Sequence, residues 1–335
     1  MTGMTHVSPE AFVDAALAYQ KTAAIKAAVS LDIFSKIGSH ARTVEELAET
    51  IDAAPRGIRI LCDYLTVLGF LQKTGQSYTQ LPSTQAFLDR ASPAYMGSIV
   101  DFLCAPAMIS HCLADPVGYV RNGGVKDGGS IVPDNPMWVA FAEAMVPFVA
   151  PAAGALSEEI AAWPAPPRKV LDIAAGHGLF GIAVAQRLAG SEIVALDWAN
   201  VLAVARRNAD QAGISDRYTT LPGSAFDVEW GRGFDLVLLA NFLHHFAERE
   251  VVGLLVKARA SLAPSGRVVA VDLVPNEDRV GPPMPASFAF VMLATTPKGD
   301  AYTAAEFDAM ARDAGFRGVR VKPAGPTPQS IILFE

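Results

Sequence analysis

A glycine-rich turn is the feature of this sequence with the clearest chemical meaning. Residues 176–181 have the spacing G-x-G-x-x-G, directly after the apolar run "KVLDIAA" and before a helical pattern. A strand that passes through such a turn into a helix brings backbone amides close to a bound ligand. The glycines specify a backbone shape that suits a dinucleotide or a ligand without phosphate, so the neighbouring residues must decide between them.

Two aspartates flank this turn. Asp172 lies in the strand, four residues before Gly176, where a carboxylate can accept hydrogen bonds from loop amides but repels a pyrophosphate. It therefore favours a cationic or zwitterionic ligand. Asp197 ends the next strand about 20 residues after the glycines, a position from which a carboxylate can bind both hydroxyls of a ribose. Each aspartate can instead cap a helix or turn, and that alternative stays open.

The composition narrows the class of protein. The chain has 335 residues, 51% of them hydrophobic, and a net charge of −7, which favours two domains with a sizeable core and argues against nucleic-acid binding. Its three cysteines have no C-x-x-C spacing, which favours a reducing compartment and no metal site. The N-terminus lacks a signal-peptide pattern, and no apolar run is long enough to span a membrane. We therefore expect a cytoplasmic protein that contacts no membrane.

The first third of the chain has the pattern of a winged-helix domain, which we place at residues 1–92. Helical patterns, including a capping-box signature at Thr43 and Glu46, precede "LQKTGQSYTQL", two short strand-like runs around a turn. The second helix, "PRGIRILCDYLTVLGF", offers Arg56 and Arg59 and is otherwise mostly apolar. A DNA-reading helix would carry more exposed basic residues, so packing against a second copy of the chain is the favoured role.

The rest of the chain divides into a helical linker and an α/β domain. Residues 93–160 have helical patterns interrupted by "RNGGVKDGGSIVPDNP", which we interpret as a lid or a domain joint. From residue 161 onward, strand-like runs alternate with helical ones, which predicts a parallel, doubly wound, Rossmann-like sheet over 161–335. The last segment, "GVRVKPAGPTPQSIILFE", contains two strand-like runs and predicts an antiparallel last strand.

The order of these motifs resembles the S-adenosylmethionine-dependent small-molecule O-methyltransferases of the caffeate and hydroxyindole type, which have bacterial relatives that tailor polyketides. The motifs are Asp172 with Gly176-His177-Gly178, then Asp197, "GSAF", "NFLHHF" and "VDLVP". The resemblance covers nearly the whole chain, since these enzymes also carry an N-terminal winged-helix dimerisation domain. It implies S-adenosylmethionine as cofactor, S-adenosylhomocysteine as product, no metal, a small-molecule acceptor and a homodimer formed through the N-terminal domain.

The resemblance also implies a set of cofactor-binding residues. Asp197 would take the ribose hydroxyls and Trp198 would pack against the adenine, although Trp198 can also be a core residue. Ser224 stands where the family often has an acid, and its hydroxyl can still meet the exocyclic amine. Ala174 replaces the first glycine of the motif, which is tolerable if the turn there needs no positive φ. The full set is Asp172, Ala174, Gly176, Gly178, Asp197, Trp198, Ser224, Ala225, Phe226 and Asn241.

The same comparison of motifs implies a catalytic pair. His244 holds the position of the family's general base, and an imidazole with an ordinary pKa near 6.5 can accept the proton of a phenol. A buried structural histidine is the alternative. Asp272 matches the first of two acids that flank this histidine, and Ala301 stands where the second is expected. Asp300, next to it, is a candidate substitute.

His245 follows the proposed base at a position where the family has aspartate. We interpret it as a helix cap or a solvent-exposed residue, with a second base as the alternative, and place it at the edge of the acceptor pocket. Two helices that resemble the family's substrate helices supply further candidates, each of which can instead belong to the core. The predicted pocket residues are Met137, Phe141, Met145, His245, Phe288 and Met292. They predict an apolar, aromatic acceptor.

The sequence therefore predicts transfer of a methyl group to a hydroxyl of a small aromatic or polyketide-like metabolite, with His244 as general base. The missing second acid leaves N- or C-methylation open, as well as a relative that has lost methyl transfer. A hypothesis from another class is a winged-helix protein that senses S-adenosylmethionine without chemistry.

Overall fold

The computed structural model describes residues 8–335, and the chain divides into two compact units, Met1–Pro106 and Ala107–Glu335. The predicted N-terminal domain lies within the first unit and the predicted α/β domain within the second, while the boundary falls inside the predicted linker at 93–160. The expectation about the extreme N-terminus depends partly on residues 1–7, which lie outside the described residues.

The N-terminal unit has the predicted order of helices followed by a hairpin. Its helices are α1 Glu10–Ala16, α2 Ala18–Ser30, α3 Ile33–Ile37, α4 Val44–Ile51, α5 Pro55–Val67, α6 Pro82–Leu88 and α7 Ile99–Leu103. Its strands are β1 Arg42–Thr43, β2 Leu71–Thr74 and β3 Ser77–Gln80, in the order β1-β3-β2. The predicted capping box is confirmed, since Thr43 and Glu46 each accept a hydrogen bond from the other's backbone amide. Strand β1 was not predicted.

The C-terminal unit is an α/β structure around one mixed sheet. Its helices are α8 Pro106–Leu113, α9 Pro116–Asn122, α10 Pro136–Ala144, α11 Val146–Ala161, α12 Leu179–Arg187, α13 Ala199–Gln211, α14 Glu248–Ser261, α15 Pro283–Thr295 and α16 Ala304–Asp313. Its strands are β4 Lys169–Ile173, β5 Glu192–Asp197, β6 Tyr218–Pro222, β7 Phe234–Ala240, β8 Leu262–Asp272, β9 Val319–Pro323 and β10 Ser330–Phe334.

The seven strands have the order β6-β5-β4-β7-β8-β10-β9. Strands β4 to β8 are parallel, and β10 is antiparallel to both β8 and β9, as the sequence predicted. The order reverses at β4, whose last residue, Ile173, pairs with Leu196 of β5 and Leu239 of β7. Ligands of such sheets bind at this switch point, beyond the carboxyl ends of the strands. The glycine turn, Asp197 and the residues after β7 all follow these ends.

Helices cover both faces of the sheet, which explains why the strands are almost continuously apolar. On one face, side chains such as Val170 and Leu238 pack with Phe180 of α12. On the other, Leu171 and Leu239 belong to one cluster with buried residues of α14 and α16. The carboxylates of Asp172 in β4 and Asp272 in β8 are buried in such strands. They therefore cost folding free energy unless they are hydrogen-bonded or paired.

No single helix within residues 8–335 has the length and apolar character to cross a membrane. Helices α10 and α11 have them only when taken together, and the two are bent by 70° relative to each other.

The glycine-rich segment at residues 121–136 lies inside the C-terminal unit. It packs against the end of α15: a Cβ at Gly124 would lie 2.3 Å from the Pro297 carbonyl oxygen, and one at Gly129 would lie 2.2 Å from that of Thr295. Glycines at these two positions permit that close approach.

Candidate active site

The glycine turn leaves β4 through residues in the left-handed region. Gly176 and Gly178 have φ of 58° and 76°, and Ala174 has φ of 52°. Ala174 was expected to replace the motif's first glycine without cost only if the turn needed no positive φ there. The structure shows that it does need one. A Cβ in that region costs roughly 1–2 kcal/mol, so the turn holds Ala174 in a strained conformation.

Ala174→Gly should therefore stabilise the protein. Relief of the strain outweighs the greater entropy of glycine in the unfolded chain, so we expect the free energy of unfolding to rise by about 0.5–1 kcal/mol. Urea unfolding at equilibrium measures this change. The neighbour Ala175 is buried and has no positive φ, so Ala175→Gly is the matched control and should destabilise. A loss of stability in Ala174→Gly would contradict the strain.

The two predicted aspartates both bind backbone amides of the turn. Asp172 is almost fully buried, and its Oδ2 accepts a hydrogen bond from the Gly181 amide at 3.0 Å. Asp197 accepts from the amides of Gly176 at 2.8 Å and Trp198 at 2.7 Å. Burial raises the pKa of Asp172 to about 7 and that of Asp197 to about 6. Carboxylates thus occupy the amides that would otherwise be available to a phosphate.

A loop at residues 223–228 follows β6 beside Asp197, and it is here called the adenine-side loop because the resemblance predicts that it meets the adenine. The Gly223 amide donates to the Asp197 carbonyl at 2.9 Å, and the Ser224 hydroxyl accepts from the Phe226 amide at 3.1 Å. Ala225 is buried, whereas the Phe226 side chain is exposed and lies edge-on to Phe246 at 5.0 Å. The structure therefore places this predicted group of residues next to the end of β5.

Trp198 and Asn241 follow β5 and β7 at the same edge. Trp198 is half-buried and packs beside a small apolar cluster that includes Ala142 of α10 and Val201. Asn241 has φ of 52°, which asparagine tolerates better than most residues. Its side-chain oxygen accepts a hydrogen bond from Gln329, a buried residue before β10 that sequence reasoning did not identify.

His244 and Asp272 form a buried pair at this edge. His244 lies in a short 3-10 turn after β7, and Asp272 is the last residue of β8. The His244 Nδ1 lies 2.7 Å from Asp272 Oδ1, which also accepts from the Leu273 amide at 2.8 Å. A neutral imidazole in this contact must carry its proton on Nδ1, so Nε2 holds the free lone pair. The pair predicted from the sequence is therefore brought together.

His245 is buried, so both favoured interpretations of it are wrong. Its ring lies 4.2 Å from that of His244 and 5.1 Å from that of Trp138, and its Nδ1 has no hydrogen-bond partner among the described residues. The N-cap of α14 is Ala247 and not His245. Burial, together with the nearby His244, lowers the pKa of His245 well below its usual value, so the ring is neutral. Trp138 of α10 shields it from solvent, and nothing local in the sequence indicates that contact.

Asp300 does not replace the missing second acid. Its carboxylate pairs with Arg279 at 3.2 Å, while its backbone amide donates to the His244 carbonyl at 2.9 Å. Ala301 is fully buried. The backbone here approaches His244 so closely that a Cβ on Gly299 would lie 2.3 Å from the His244 oxygen. The segment supports the histidine through its backbone, and Asp272 is the acid that contacts the imidazole.

Aromatic rings surround the pair on the side expected for the acceptor. Phe288 of α15 lies edge-on to His244 at 4.8 Å, and Trp138 lies 5.9 Å from Phe141. Phe141 stacks on His177 of the glycine turn at 6.1 Å. A chain of rings, which includes His245, thus connects the His244–Asp272 pair with the turn.

Other predicted pocket residues fit less well. Met145 and Met292 are buried among the core residues, as the alternative interpretation of these positions expected. Met137 is half-buried at the start of α10. Sequence reasoning missed Trp138 and His177. Trp138 precedes Phe141 by three residues on one helix, a spacing that could have indicated a shared face.

The described residues, 8–335, contain no group of three or more histidine, cysteine or acidic side chains that could hold a metal ion. At the sheet edge, His244 instead pairs with Asp272, while Asp172 and Asp197 accept hydrogen bonds from backbone amides.

Comparisons with known proteins find similar sequences and similar folds. Residues 165–317 match a family model described as an O-methyltransferase domain, and residues 13–90 match an O-methyltransferase dimerisation domain. A crystal structure from Nostoc punctiforme, assigned as an O-methyltransferase, is 44% identical with a TM-score of 0.94 and covers 98% of this chain and 99% of that one.

Two further proteins extend the comparison. The tetracenomycin polyketide synthesis 8-O-methyltransferase TcmO of Streptomyces glaucescens is 25% identical, covering 99% of this chain and 98% of that protein. Human N-acetylserotonin methyltransferase, solved with S-adenosylmethionine, has a TM-score of 0.82 at 19% identity, covers 100% of this chain and 99% of that one, and supports the fold.

Proposed function

Because this chain belongs to the S-adenosylmethionine-dependent O-methyltransferase family, we propose that it methylates a hydroxyl of a small aromatic or polyketide-like metabolite with His244 as general base. The observation that carries the proposal is the buried His244–Asp272 pair at the sheet edge, with the Nε2 lone pair left free. The acceptor class rests on the rings of Trp138, Phe141 and Phe288 and on the substrates named for relatives such as TcmO.

The residues around the glycine turn suit the cofactor. The amides of Gly176 and Gly181 already bind carboxylates, an arrangement that disfavours a pyrophosphate and favours a cationic ligand. Asp197 retains lone pairs for ribose hydroxyls. Trp198, Asn241 and the adenine-side loop would hold the remainder. When bound, S-adenosylmethionine supplies an electrophilic methyl group.

The catalytic pair would then handle the proton. His244 Nε2 accepts the proton of the acceptor hydroxyl as the oxygen becomes nucleophilic, and Asp272 stabilises the resulting imidazolium through Nδ1. The neutral ring of His245 beside it adds no repelling charge. The surrounding rings orient the acceptor and exclude water.

Methylation of an acceptor screen by labelled S-adenosylmethionine tests the function. The screen should contain phenols, hydroxyindoles and aromatic polyketide fragments, each paired with its amine analogue. We expect methyl transfer to hydroxyls only. Transfer to the amines or to carbon would instead support the N- or C-methylation that the missing second acid leaves open, while cofactor binding without any transfer would revive the sensor hypothesis.

Cofactor binding should depend on the ionisation of Asp197. The raised pKa means that the folded protein holds protons that the unfolded chain releases, so this group lowers stability as pH rises from about 4 to about 6. Ribose hydroxyls need the ionised carboxylate. The Kd for S-adenosylhomocysteine should therefore be constant above neutral pH and rise as pH falls below about 6.

Calorimetry of Asp197→Asn measures the same linkage. The variant should lose the change near pH 6 and bind about 1.5–3 kcal/mol more weakly at pH 8, because a charge-assisted hydrogen bond is lost. Asp216→Asn, at an exposed position, is the control and should behave as wild type. Unchanged affinity in Asp197→Asn would leave that residue with a capping role only.

The N-terminal unit should form a two-fold homodimer. Helix α1 buries none of its residues, and Phe12, Val13 and Tyr19 of the first two helices are exposed. Burying such an apolar face against a second copy satisfies the hydrophobic effect, and the match to a dimerisation domain supports this assembly. Light scattering should give the mass of a dimer, and Phe12→Asp should shift it toward a monomer. A well-behaved monomer of the intact chain would exclude the dimer.

A further inference from the structure

Lys257 makes an unusual set of contacts with the adenine-side loop. It lies on α14, and its ammonium donates to the carbonyl oxygens of Ala225 at 2.9 Å, Phe226 at 3.0 Å and Val228 at 2.7 Å. An ammonium has three N–H groups, so a single loop uses all of them. The charge also lies 5.0 Å from the ring centroid of Trp230.

These contacts determine the shape of a segment that has no regular secondary structure. Trp230 adds a hydrogen bond to the Ala225 carbonyl at 3.0 Å, and Ser224 folds back on the Phe226 amide. Three carbonyls that converge on one cation would repel one another without it. The loop conformation therefore depends on a side chain that lies outside the loop.

The helix that carries Lys257 also connects the loop with the catalytic segment. This segment, residues 243–246, contains His244 and ends two residues before α14 begins at Glu248. Phe226 of the loop contacts Phe246 of the segment. Burial lowers the pKa of Lys257, and the acidic neighbours Glu229 and Asp227 oppose that lowering because they favour the charged form.

We propose that Lys257 is a positioning residue for cofactor recognition, because its ammonium holds the carbonyls of residues 225, 226 and 228 so that the loop fits the adenosyl group. The inference rests on the proposed assignment of residues 223–228 to the adenine. It requires no particular acceptor and no role for His244.

Calorimetry with two ligands tests the proposal. The ligands are S-adenosylhomocysteine and S-inosylhomocysteine, in which a carbonyl replaces the exocyclic amine of the adenine. The variants are Lys257→Met, which removes the charge at similar length, and Lys257→Arg, which keeps it. Arg249→Met, at an exposed position on the first turn of the same helix, is the matched control.

We expect wild type to bind S-adenosylhomocysteine more tightly than S-inosylhomocysteine. Lys257→Met should bind S-adenosylhomocysteine about tenfold more weakly than wild type does, because a tenfold loss follows if only a tenth of the molecules keep the loop conformation that binds. The preference over S-inosylhomocysteine should shrink as well, since a loosened loop no longer distinguishes the amine. Lys257→Arg should lose less affinity than Lys257→Met, and Arg249→Met should match wild type.

Several results would overturn the proposal. One is a Lys257→Met variant with a lower melting temperature but unchanged affinity and preference, which indicates a structural role alone. Another is a wild type without preference between the two ligands, because the loop then does not recognise the adenine. If Lys257→Met does not fold, Lys257→Gln takes its place in the same measurement, and wild-type affinity and preference in that uncharged variant would overturn the proposal. Because binding is measured without turnover, these outcomes are independent of the test of His244.

Discussion

Replacing His244 with alanine should lower the rate of methyl transfer by roughly 10²–10⁴-fold, the usual contribution of general-base catalysis. The affinity for S-adenosylhomocysteine should stay near that of wild type. The histidine contacts Asp272, His245 and Phe288 through its ring. The predicted cofactor residues lie in β4 and the turn after it, at the ends of β5 and β6, and, for Asn241, directly after β7. Removing the imidazole therefore deletes the proton acceptor without touching the carboxylates of the turn.

Single-turnover methyl transfer across a pH series measures this effect. In His244→Ala the rate should follow the ionisation of the acceptor hydroxyl, and the wild-type profile should differ from it because the imidazole takes the proton. Cofactor affinity, measured on the same samples, verifies that the variant is folded.

His245→Ala provides the matched control. This ring makes no hydrogen bond through Nδ1 among the described residues, so its removal should open space beside His244 without deleting a proton acceptor. We expect a loss well below that of His244→Ala. A full rate and an unaltered pH profile in His244→Ala, or a larger loss in His245→Ala, would contradict the assignment of His244 as the base.

The sequence predicted the parts of this structure that depend on local pattern. Strands β4 to β8 are recognisable because helices cover both faces of the sheet and keep the strands apolar. Against that background the carboxylates of Asp172 and Asp272 are conspicuous. The position of Asp272 at the end of its strand, together with the resemblance, was enough to predict that His244 and Asp272 lie close together, since β7 and β8 are neighbours.

The sequence could not predict features that depend on distant residues or on backbone angles. His245 is buried because Trp138, more than a hundred residues earlier, packs against it. The pairing of Asp300 with Arg279 depends on the path of two loops. The strain at Ala174 is invisible in the sequence because alanine usually adopts a negative φ. The contacts of Lys257 join a helix to a loop about 30 residues away, and nothing in the local pattern of α14 indicates them.

Asp272→Asn should reduce methyl transfer by about 10²–10³-fold, because Asp272 is the acid that contacts the imidazole. Oδ1 of Asp272 accepts from both His244 and the Leu273 amide, and Oδ2 is buried without a partner among the described residues. If the asparagine keeps its oxygen at the Oδ1 position, its amide group replaces Oδ2 as an unsatisfied buried donor. We then expect a loss of about 1–3 kcal/mol in the free energy of unfolding.

The opposite orientation of the amide would harm catalysis more directly. An NH₂ group facing His244 requires Nδ1 to accept, which places the imidazole proton on Nε2 and removes the lone pair needed for the acceptor. In either orientation the neutral amide cannot stabilise the protonated histidine. With Ala301 in place of a second acid, no other carboxylate within residues 8–335 contacts the ring to compensate.

Asp300→Asn tests whether the loss in Asp272→Asn comes from the contact with the imidazole or from the loss of any nearby negative charge. The Asp300 carboxylate pairs with Arg279 and touches His244 only through the backbone, so its neutralisation should leave the rate and the pH profile close to wild type. Single-turnover pH profiles of both variants, with unfolding curves, make the comparison. If Asp300→Asn loses more activity than Asp272→Asn, Asp300 serves as the orienting acid during turnover, and the loop at 298–301 must then move to bring its carboxylate to the imidazole.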